Sequence, residues 1–127
     1  MTVYLSAADV AQIVEHVLGE PLDSSLNDVG LLAGAVARPR AVRDHVDVYQ
    51  GLALKGAALL ESLARSNALV DGNKRTAWVA MNVFLELNHH RTTFTENEAF
   101  ILVQEVAHGH VKLPGAAERI AARLEKY

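Results

Sequence analysis

The sequence predicts an all-α protein, a compact bundle of about six helices around one central buried helix. Apolar residues recur at helical spacing in six separate stretches, and almost no stretch alternates as a strand would. The longest apolar run, from Trp78 to Leu87, has only Asn82 and Glu86 as polar members. A helix that is apolar almost all round is usually buried at the centre of a domain. We therefore place the central helix at residues 74–88.

Length and composition limit the class of protein. At 127 residues, with half of them hydrophobic, the chain is long enough to bury its own core, and we expect a single domain spanning residues 1–127. There is no cysteine, which excludes disulfides, cysteine–zinc sites and thiol catalysis. The net charge of −3 disfavours direct nucleic-acid binding. No apolar run reaches membrane-spanning length and no basic leader opens the chain, so we expect no membrane contact and a cytoplasmic protein.

The first two helices have recognisable start and stop signals. Ser6 is followed three residues later by Asp9, a variant of the capping box that opens a helix, and Gly19 ends that helix. The apolar positions of this helix fall at Val10, Ile13, Val14, Val17 and Leu18. After a polar connection, Asp28 starts a second and shorter helix, which Pro39 limits because the residue before a proline avoids the α region.

A third long helix is predicted from about Gln50 to Arg65. Its face is marked by Leu52, Gly56, Leu59, Leu60 and Leu63. The loop before it carries a local basic cluster, Arg38, Arg40 and Arg43. Because of this cluster, a helical nucleic-acid regulator remains an alternative function. The net negative charge of the chain disfavours it.

Two further helices are predicted after the central one. Residues 92–94 indicate a brief extended piece, and Thr95 with Glu98 forms a capping box. This box opens a helix with Phe100, Val103 and Val106 or Ala107 facing inward, which ends at Gly109. Pro114 starts the last helix, whose buried stripe is predicted to be Ala117, Ile120, Ala121 and Leu124.

The start of the central helix is the candidate functional site. The Asp71–Gly72 turn is followed at once by a first helical turn carrying two cations, Lys74 and Arg75. Cations are normally disfavoured at helix N-termini, and a bound anion facing the free backbone N–H groups would relieve that conflict. Asp71 could hold a divalent cation against such an anion, since hard cations prefer carboxylates. The alternative is a solvated loop with Asp71 as a helix cap.

Residues 68–77, Ala-Leu-Val-Asp-Gly-Asn-Lys-Arg-Thr-Ala, resemble the active-site motif of the Fic/Doc family. The general form of that motif is H-x-F-x-D/E-G/A-N-G/K-R. Lys74 favours the branch of the Doc (death on curing) toxins, where lysine occupies this place. The resemblance extends over nearly the whole chain and implies a Fic/Doc-like helical fold.

The resemblance implies the toxin of a type II toxin–antitoxin system. Such a toxin is an ATP-dependent kinase that uses Mg²⁺, phosphorylates a hydroxyl of elongation factor Tu and inhibits translation. Its partner would be a Phd-type antitoxin that lays a helical segment into a groove. By the same resemblance, Asp71 would be the Mg²⁺ ligand. The nucleotide phosphates would be bound by Gly72, Asn73, Lys74 and Arg75, with Arg65 as a further contact or, alternatively, only a cation at a helix C-terminus.

Two positions of the motif depart from the family pattern. The catalytic histidine of the motif falls at Asn67, and the motif phenylalanine is Leu69. A carboxamide does not titrate near neutral pH and cannot act as a general base, so we expect the protein to be inactive as written. A silent pseudoenzyme that binds nucleotide or protein is one alternative. An AMP-transferring Fic enzyme is another, although Trp78 stands where such enzymes carry a second arginine.

Overall fold

The computed structural model describes residues 1–127 and confirms the all-α class. Its helices are α1 Ala7–Leu18, α2 Leu22–Ser25, α3 Val29–Ala37, α4 Leu52–Arg65, α5 Asn73–Leu87, α6 Glu96–Ala107 and α7 Leu113–Ala122. Two small antiparallel pairs complete the fold, β1 Val42–Arg43 with β2 Val46–Asp47, and β3 His90–Thr92 with β4 Leu124–Lys126. None of the helices combines the length and the hydropathy that crossing a bilayer requires.

Helix α5 lies at the centre, as its apolar sequence predicts. Its inner face is buried at Thr76, Ala77, Ala80, Met81, Phe84 and Leu85. Gly56 of α4 faces α5, and an added Cβ there would lie 3.4 Å from Leu85 Cδ2, about an ordinary van der Waals distance. Burying a side chain as large as Phe84 contributes about 1.5–3 kcal/mol. The outer side of α5 is not fully buried: Trp78 and Val83 are half-buried and Leu87 is exposed. The central helix therefore organises the core and also presents a surface.

The predicted start and stop signals act as expected at three helices. Ser6 and Asp9 form a reciprocal capping box at α1, and Thr95 and Glu98 form another at α6. The side chain of Asp28 accepts the Leu31 N–H at the start of α3. Helix α1 ends at Gly19, whose φ of 70° is left-handed. These local hydrogen bonds fix where the helices begin and end.

Two boundaries in the first half differ from the prediction. The connection after α1 contains a single helical turn, α2, which is too short to give any apolar periodicity in the sequence. Helix α4 begins at Leu52 and not at Gln50, because Gly51 adopts a φ of 87° and separates the preceding loop from the helix.

The predicted inward faces of α6 and α7 are partly wrong. Phe100 is 56% exposed, and the buried residues of α6 are Leu102, Val103 and Val106. The helix is rotated so that Phe100 lies at its edge. In α7, Ala116 and Ile120 are buried but Ala121 is exposed. Helix α7 also stops before Leu124, because the chain there pairs as β4 with β3.

The β1–β2 hairpin is attached to the bundle through charged side chains. The Lys55 amine is buried and donates to Asp47 Oδ2 at 2.9 Å and to the Tyr49 carbonyl at 2.5 Å. Burial lowers the pKa of Lys55, but its interactions with Asp47 and Tyr4 outweigh burial and raise the pKa above its ordinary value. Arg38 donates to Glu61 Oε1 at 2.8 Å.

Two of the three arginines in the predicted basic cluster are therefore hydrogen-bonded to other residues of the protein. Besides Glu61, Arg38 contacts the Tyr49 hydroxyl at 2.9 Å, and Arg40 donates to the Leu5 carbonyl at 2.8 Å. A guanidinium that is bound to protein acceptors has fewer N–H groups left for a phosphate backbone. This arrangement is unfavourable to the nucleic-acid alternative.

Candidate functional site

A cavity of about 430 Å³ opens at the N-terminus of α5 and contains most of the predicted site residues. Its lining is Leu18, Ala64, Asn67, Val70, Asp71, Gly72, Asn73, Lys74 and Arg75. The loop between α4 and α5, residues 66–72, forms one wall and the first turn of α5 forms another. We refer to residues 66–72 as the motif loop. The motif thus encloses a space large enough for part of a small ligand.

The first turn of α5 offers positive groups to this cavity. The first helical hydrogen bond runs from the Thr76 N–H to the Gly72 carbonyl at 2.9 Å, which leaves the N–H groups of Asn73, Lys74 and Arg75 without an acceptor in the chain. The side chains of Lys74 and Arg75 form no ion pair within the protein. Backbone donors and two unpaired cations therefore converge at one helix end.

Asp71 is the carboxylate of the cavity. It is exposed, and its Oδ1 accepts the N–H of Gly72 at 2.9 Å. Its other oxygen makes no hydrogen bond within the chain, and neither Lys74 nor Arg75 pairs with it. An exposed carboxylate oxygen next to unpaired cations and free N–H groups is a suitable ligand for a hard divalent cation.

Gly72 is favoured at this position by its backbone conformation and fits closely against a neighbouring side chain. Its φ is 83°, in the left-handed region that glycine adopts without strain. An added Cβ would also lie 2.5 Å from Leu18 Cδ2 of helix α1. The Leu18 side chain therefore packs against Gly72 and closes one side of the cavity.

Asn73 holds the motif loop. Its Oδ1 accepts the Leu69 N–H at 3.0 Å and its Nδ2 donates to the Leu69 carbonyl at 2.9 Å. Since Leu69 is 3% exposed, these two hydrogen bonds satisfy backbone groups that water cannot reach easily. What Asn73 offers to the cavity is its backbone N–H, while its side chain orders the loop.

Asn67, at the position predicted for the catalytic base, lies in the cavity wall with a left-handed backbone, φ 54°. Left-handed backbone is uncommon for residues other than glycine but is enriched several-fold in asparagine, aspartate and histidine. Asn67 is exposed and lines the cavity, so a larger side chain at this position has space available. The conformation seen here is thus one that histidine also tolerates.

Arg65 is not brought together with the other predicted residues. It does not line the cavity, and its guanidinium lies beside Gly109, where an added Cβ would be 3.4 Å from Arg65 Nη1. Because α4 ends immediately after Arg65, the side chain projects toward the turn between α6 and α7. The alternative given for it, a cation at a helix C-terminus, agrees better with this position.

A segment between α2 and α3, which no sequence pattern indicated, holds the motif loop from its other side. Leu26 pairs with Leu69 as an isolated antiparallel bridge, and the N–H groups of Asn27 and Asp28 both donate to the Ala68 carbonyl, at 2.8 and 3.1 Å. About forty residues separate the two partners in the sequence, so no local sequence pattern indicates the pairing.

A second groove, of about 560 Å³, lies between α5 and α6. It is lined by Lys74, Arg75, Trp78, Glu96, Ala99, Phe100, Val103 and Gln104. Lys74 and Arg75 line both this groove and the motif cavity, so the two spaces adjoin at the same pair of cations. Apolar and aromatic walls with a few polar side chains are typical of small-molecule sites.

These features define a helical protein with free backbone N–H groups and two unpaired cations at the start of its core helix and a carboxylate beside them. Comparison with known proteins gives the family. The profile of the Fic/DOC family matches residues 4–85. The chain is 45% identical over 123 residues to "Toxin Doc" of Mycolicibacterium smegmatis, an alignment that covers 95% of this chain and 93% of the relative. The chain belongs to the Fic/DOC family.

Proposed function

We propose that this protein is the toxin of a toxin–antitoxin pair, with a Doc-like phosphotransferase site that binds ATP and Mg²⁺ and lacks its general base. The observation that carries the proposal is the convergence of Asp71, two unpaired cations and three free backbone N–H groups on one cavity. The relative named "Toxin Doc" covers nearly the whole chain and supports the toxin assignment.

The phosphate-binding role follows from charge and geometry. A polyphosphate at the start of α5 would accept hydrogen bonds from the N–H groups of Asn73, Lys74 and Arg75. The Arg75 guanidinium can bind two oxygens at once, while the Lys74 ammonium acts as a point charge. Neither side chain must first give up an internal partner, because neither forms an ion pair in the protein.

The donor set also fits a magnesium ion. Asp71 would hold it through the oxygen that makes no hydrogen bond, next to the cations that bind the phosphates. When bound, Mg²⁺ neutralises charge on phosphate oxygens. The groove between α5 and α6 would receive the nucleoside, with Phe100 and Trp78 offering apolar surface and Gln104 a hydrogen-bonding group.

Phosphoryl transfer is favoured over AMP transfer by the environment of Trp78. This residue stands where AMP-transferring relatives are expected to have a second phosphate-binding arginine. Its ring packs edge-on against Phe94, with centroids 5.7 Å apart, and is half-buried. An indole in this position adds packing and no positive charge, so the phosphates would be held by Lys74, Arg75 and the helix start alone.

With asparagine in place of the catalytic histidine at position 67, the site is inactive. The attacking hydroxyl of a protein substrate must lose its proton, and an amide cannot take it. The remaining groups of the site would bind and orient the nucleotide without completing the reaction. A pseudoenzyme that binds nucleotide or a protein partner is the second candidate, and Asn67 is the observation that favours it.

The target and partner are proposed on the family relationship. The substrate would be a hydroxyl of a translation factor such as elongation factor Tu, and its phosphorylation would inhibit translation. The partner would be a Phd-type antitoxin that binds through a helical segment.

The nucleotide site can be tested with the protein as it stands. Calorimetry should detect MgATP binding, and the Lys74→Ala/Arg75→Ala double variant should lose it because the two phosphate-binding charges are gone. Lys112→Ala removes an exposed cation outside the cavity and is the control. Absence of binding at millimolar ATP in the folded protein would contradict the assignment, as would equal binding by the double variant.

A further inference from the structure

We propose that Asn27 is a positioning residue that fixes the backbone of residue 67, the position of the missing base. The functional meaning of the proposal rests on the phosphotransferase function proposed above, whereas the structural effect does not. Asn27 lies forty residues before the motif, in the connection between α2 and α3.

The backbone at Asn67 needs external support. A non-glycine residue at φ 54° occupies a sparsely populated region, and such conformations persist only where the surroundings over-determine them. Asn67 lies two residues after the last residue of α4, Arg65, where helical hydrogen bonds no longer hold the chain. The Ser66 hydroxyl supports this turn from within the motif loop by accepting the Ala68 N–H at 3.2 Å, and contacts from outside the loop add to that support.

Asn27 makes those contacts on two consecutive residues. Its side-chain Nδ2 donates to the Asn67 carbonyl at 3.1 Å, and its backbone N–H donates to the Ala68 carbonyl at 2.8 Å. The first of these is the only hydrogen bond that Asn67 makes within the chain. Asp28 adds a second donor to the Ala68 carbonyl at 3.1 Å.

The rest of the motif loop is held by other residues, so the effect of Asn27 is local. Asn73 bonds both backbone groups of Leu69, and the Val70 N–H donates to the Ser25 carbonyl at 2.8 Å. Removing the Asn27 side chain leaves all of these contacts in place. Asn27 does not belong to the hydrophobic core.

The consequence concerns orientation and not nucleotide affinity. The phosphate-binding groups belong to α5 and do not depend on the Asn67 carbonyl. A side chain at position 67, by contrast, takes its direction from this backbone. A displacement of about 1 Å in a catalytic group costs on the order of a hundredfold in rate. Loss of the Asn27 amide should therefore lower kcat and leave the KM for ATP unchanged.

The experiment uses Asn27→Ala and the shape-matched Asn27→Asp, which lacks the Nδ2 donor. Asn97→Ala, an exposed asparagine on α6 that makes no side-chain hydrogen bond, is the control. Each change is made in the full chain with Asn67 and again with Asn67→His. In the Asn67 proteins, NMR backbone couplings and carbon shifts report the φ of residue 67. In the Asn67→His proteins, phosphate transfer gives kcat and KM.

We expect both Asn27 variants to lose the left-handed signature at residue 67, and kcat to fall about tenfold to a hundredfold with KM unchanged. The Asn97 control should change neither. Retention of the left-handed signature in both Asn27 variants would overturn the positioning role, as would a kcat within about twofold of the parent. If the Asn67→His parent transfers no phosphate, the proposed reaction fails separately, and the NMR comparison still decides the role of Asn27.

Discussion

The side chain of Asn73 binds the backbone of Leu69 through both of its polar atoms, at 3.0 Å and 2.9 Å. One residue at the start of α5 thereby ties the core helix to the loop that precedes it. Leu69 is buried among the apolar residues of the core, so the motif loop is anchored there and not free in solvent. The first turn of α5 and the Leu69 end of the motif loop are thereby held together.

This relationship predicts a large effect on stability from a polar residue at the edge of the core. Asn73→Ala should lower the free energy of unfolding by about 2–4 kcal/mol, because it leaves the buried N–H and carbonyl of Leu69 without partners. Asn73→Asp should also destabilise, since a carboxylate accepts the N–H but repels the carbonyl. Urea unfolding measures both. Asn97→Ala should change the free energy by less than about 0.5 kcal/mol. A similarly small effect of Asn73→Ala would show that the two hydrogen bonds do not stabilise the loop.

Local signals account for most of the fold that could be predicted from the sequence. Ser6 with Asp9 and Thr95 with Glu98 predicted the helix starts correctly, because a capping box depends only on residues three positions apart. The rotation of α6 could not be predicted in the same way. Phe100 and Leu102 are both apolar, and which of them is buried depends on how α6 packs against α4 and α5.

The candidate site, too, could be predicted only in part from the sequence. Asp71, Lys74 and Arg75 are close in sequence, and the end of the motif loop and the first turn of α5 bring them to one cavity. Arg65 is also close in sequence, but the end of α4 directs it to Gly109. The contribution of Asn27 depends on a pairing across forty residues, which no periodicity or motif in one sequence reveals.

The capping box of α6 predicts a pH-dependent stability. The backbone hydrogen bond from Thr95 lowers the pKa of Glu98, burial opposes this, and the Thr95 hydroxyl and Arg123 lower it further from its ordinary value of 4.5. Because the folded-state pKa is the lower one, this stabilisation is present above the unfolded pKa and is lost as the pH falls through the folded pKa.

Glu98→Gln should therefore be less stable than the parent at neutral pH. The difference should shrink as the pH falls below 4.5 and disappear once Glu98 is protonated in the folded state as well. Urea unfolding at several pH values measures it. Glu96→Gln changes a neighbouring carboxylate that forms no hydrogen bond, and it should show a smaller pH dependence. A difference for Glu98→Gln that stays constant throughout the acid range would contradict the role given to its charge.

Restoring histidine at position 67 should restore activity. General-base catalysis contributes on the order of a hundredfold to ten-thousandfold in rate, so expression of Asn67→His alone should arrest growth while the parent does not. Purified Asn67→His should transfer label from γ-labelled ATP to elongation factor Tu, and no label from α-labelled ATP. Adding Lys74→Ala and Arg75→Ala should remove both effects. Full toxicity of the parent would mean that another residue is the base or that toxicity is not enzymatic, and a silent Asn67→His protein would favour the pseudoenzyme.

Binding of the antitoxin should not depend on position 67. A helix held in a groove uses apolar anchors at i, i+3, i+4 and i+7, and none of these requires a titrating group in the motif cavity. We therefore expect the parent and Asn67→His to bind the product of the adjacent gene with the same affinity in calorimetric titration. A segment of that product should be disordered alone and become helical on binding, with a negative heat-capacity change from the apolar surface it buries. Circular dichroism detects the helix. If the product of the adjacent gene does not bind, or binds while remaining disordered, the proposed toxin–antitoxin pairing fails. That result leaves MgATP binding untouched, because nucleotide binding depends on the motif cavity and the adjoining groove, whereas the pairing depends on a surface for a helical partner.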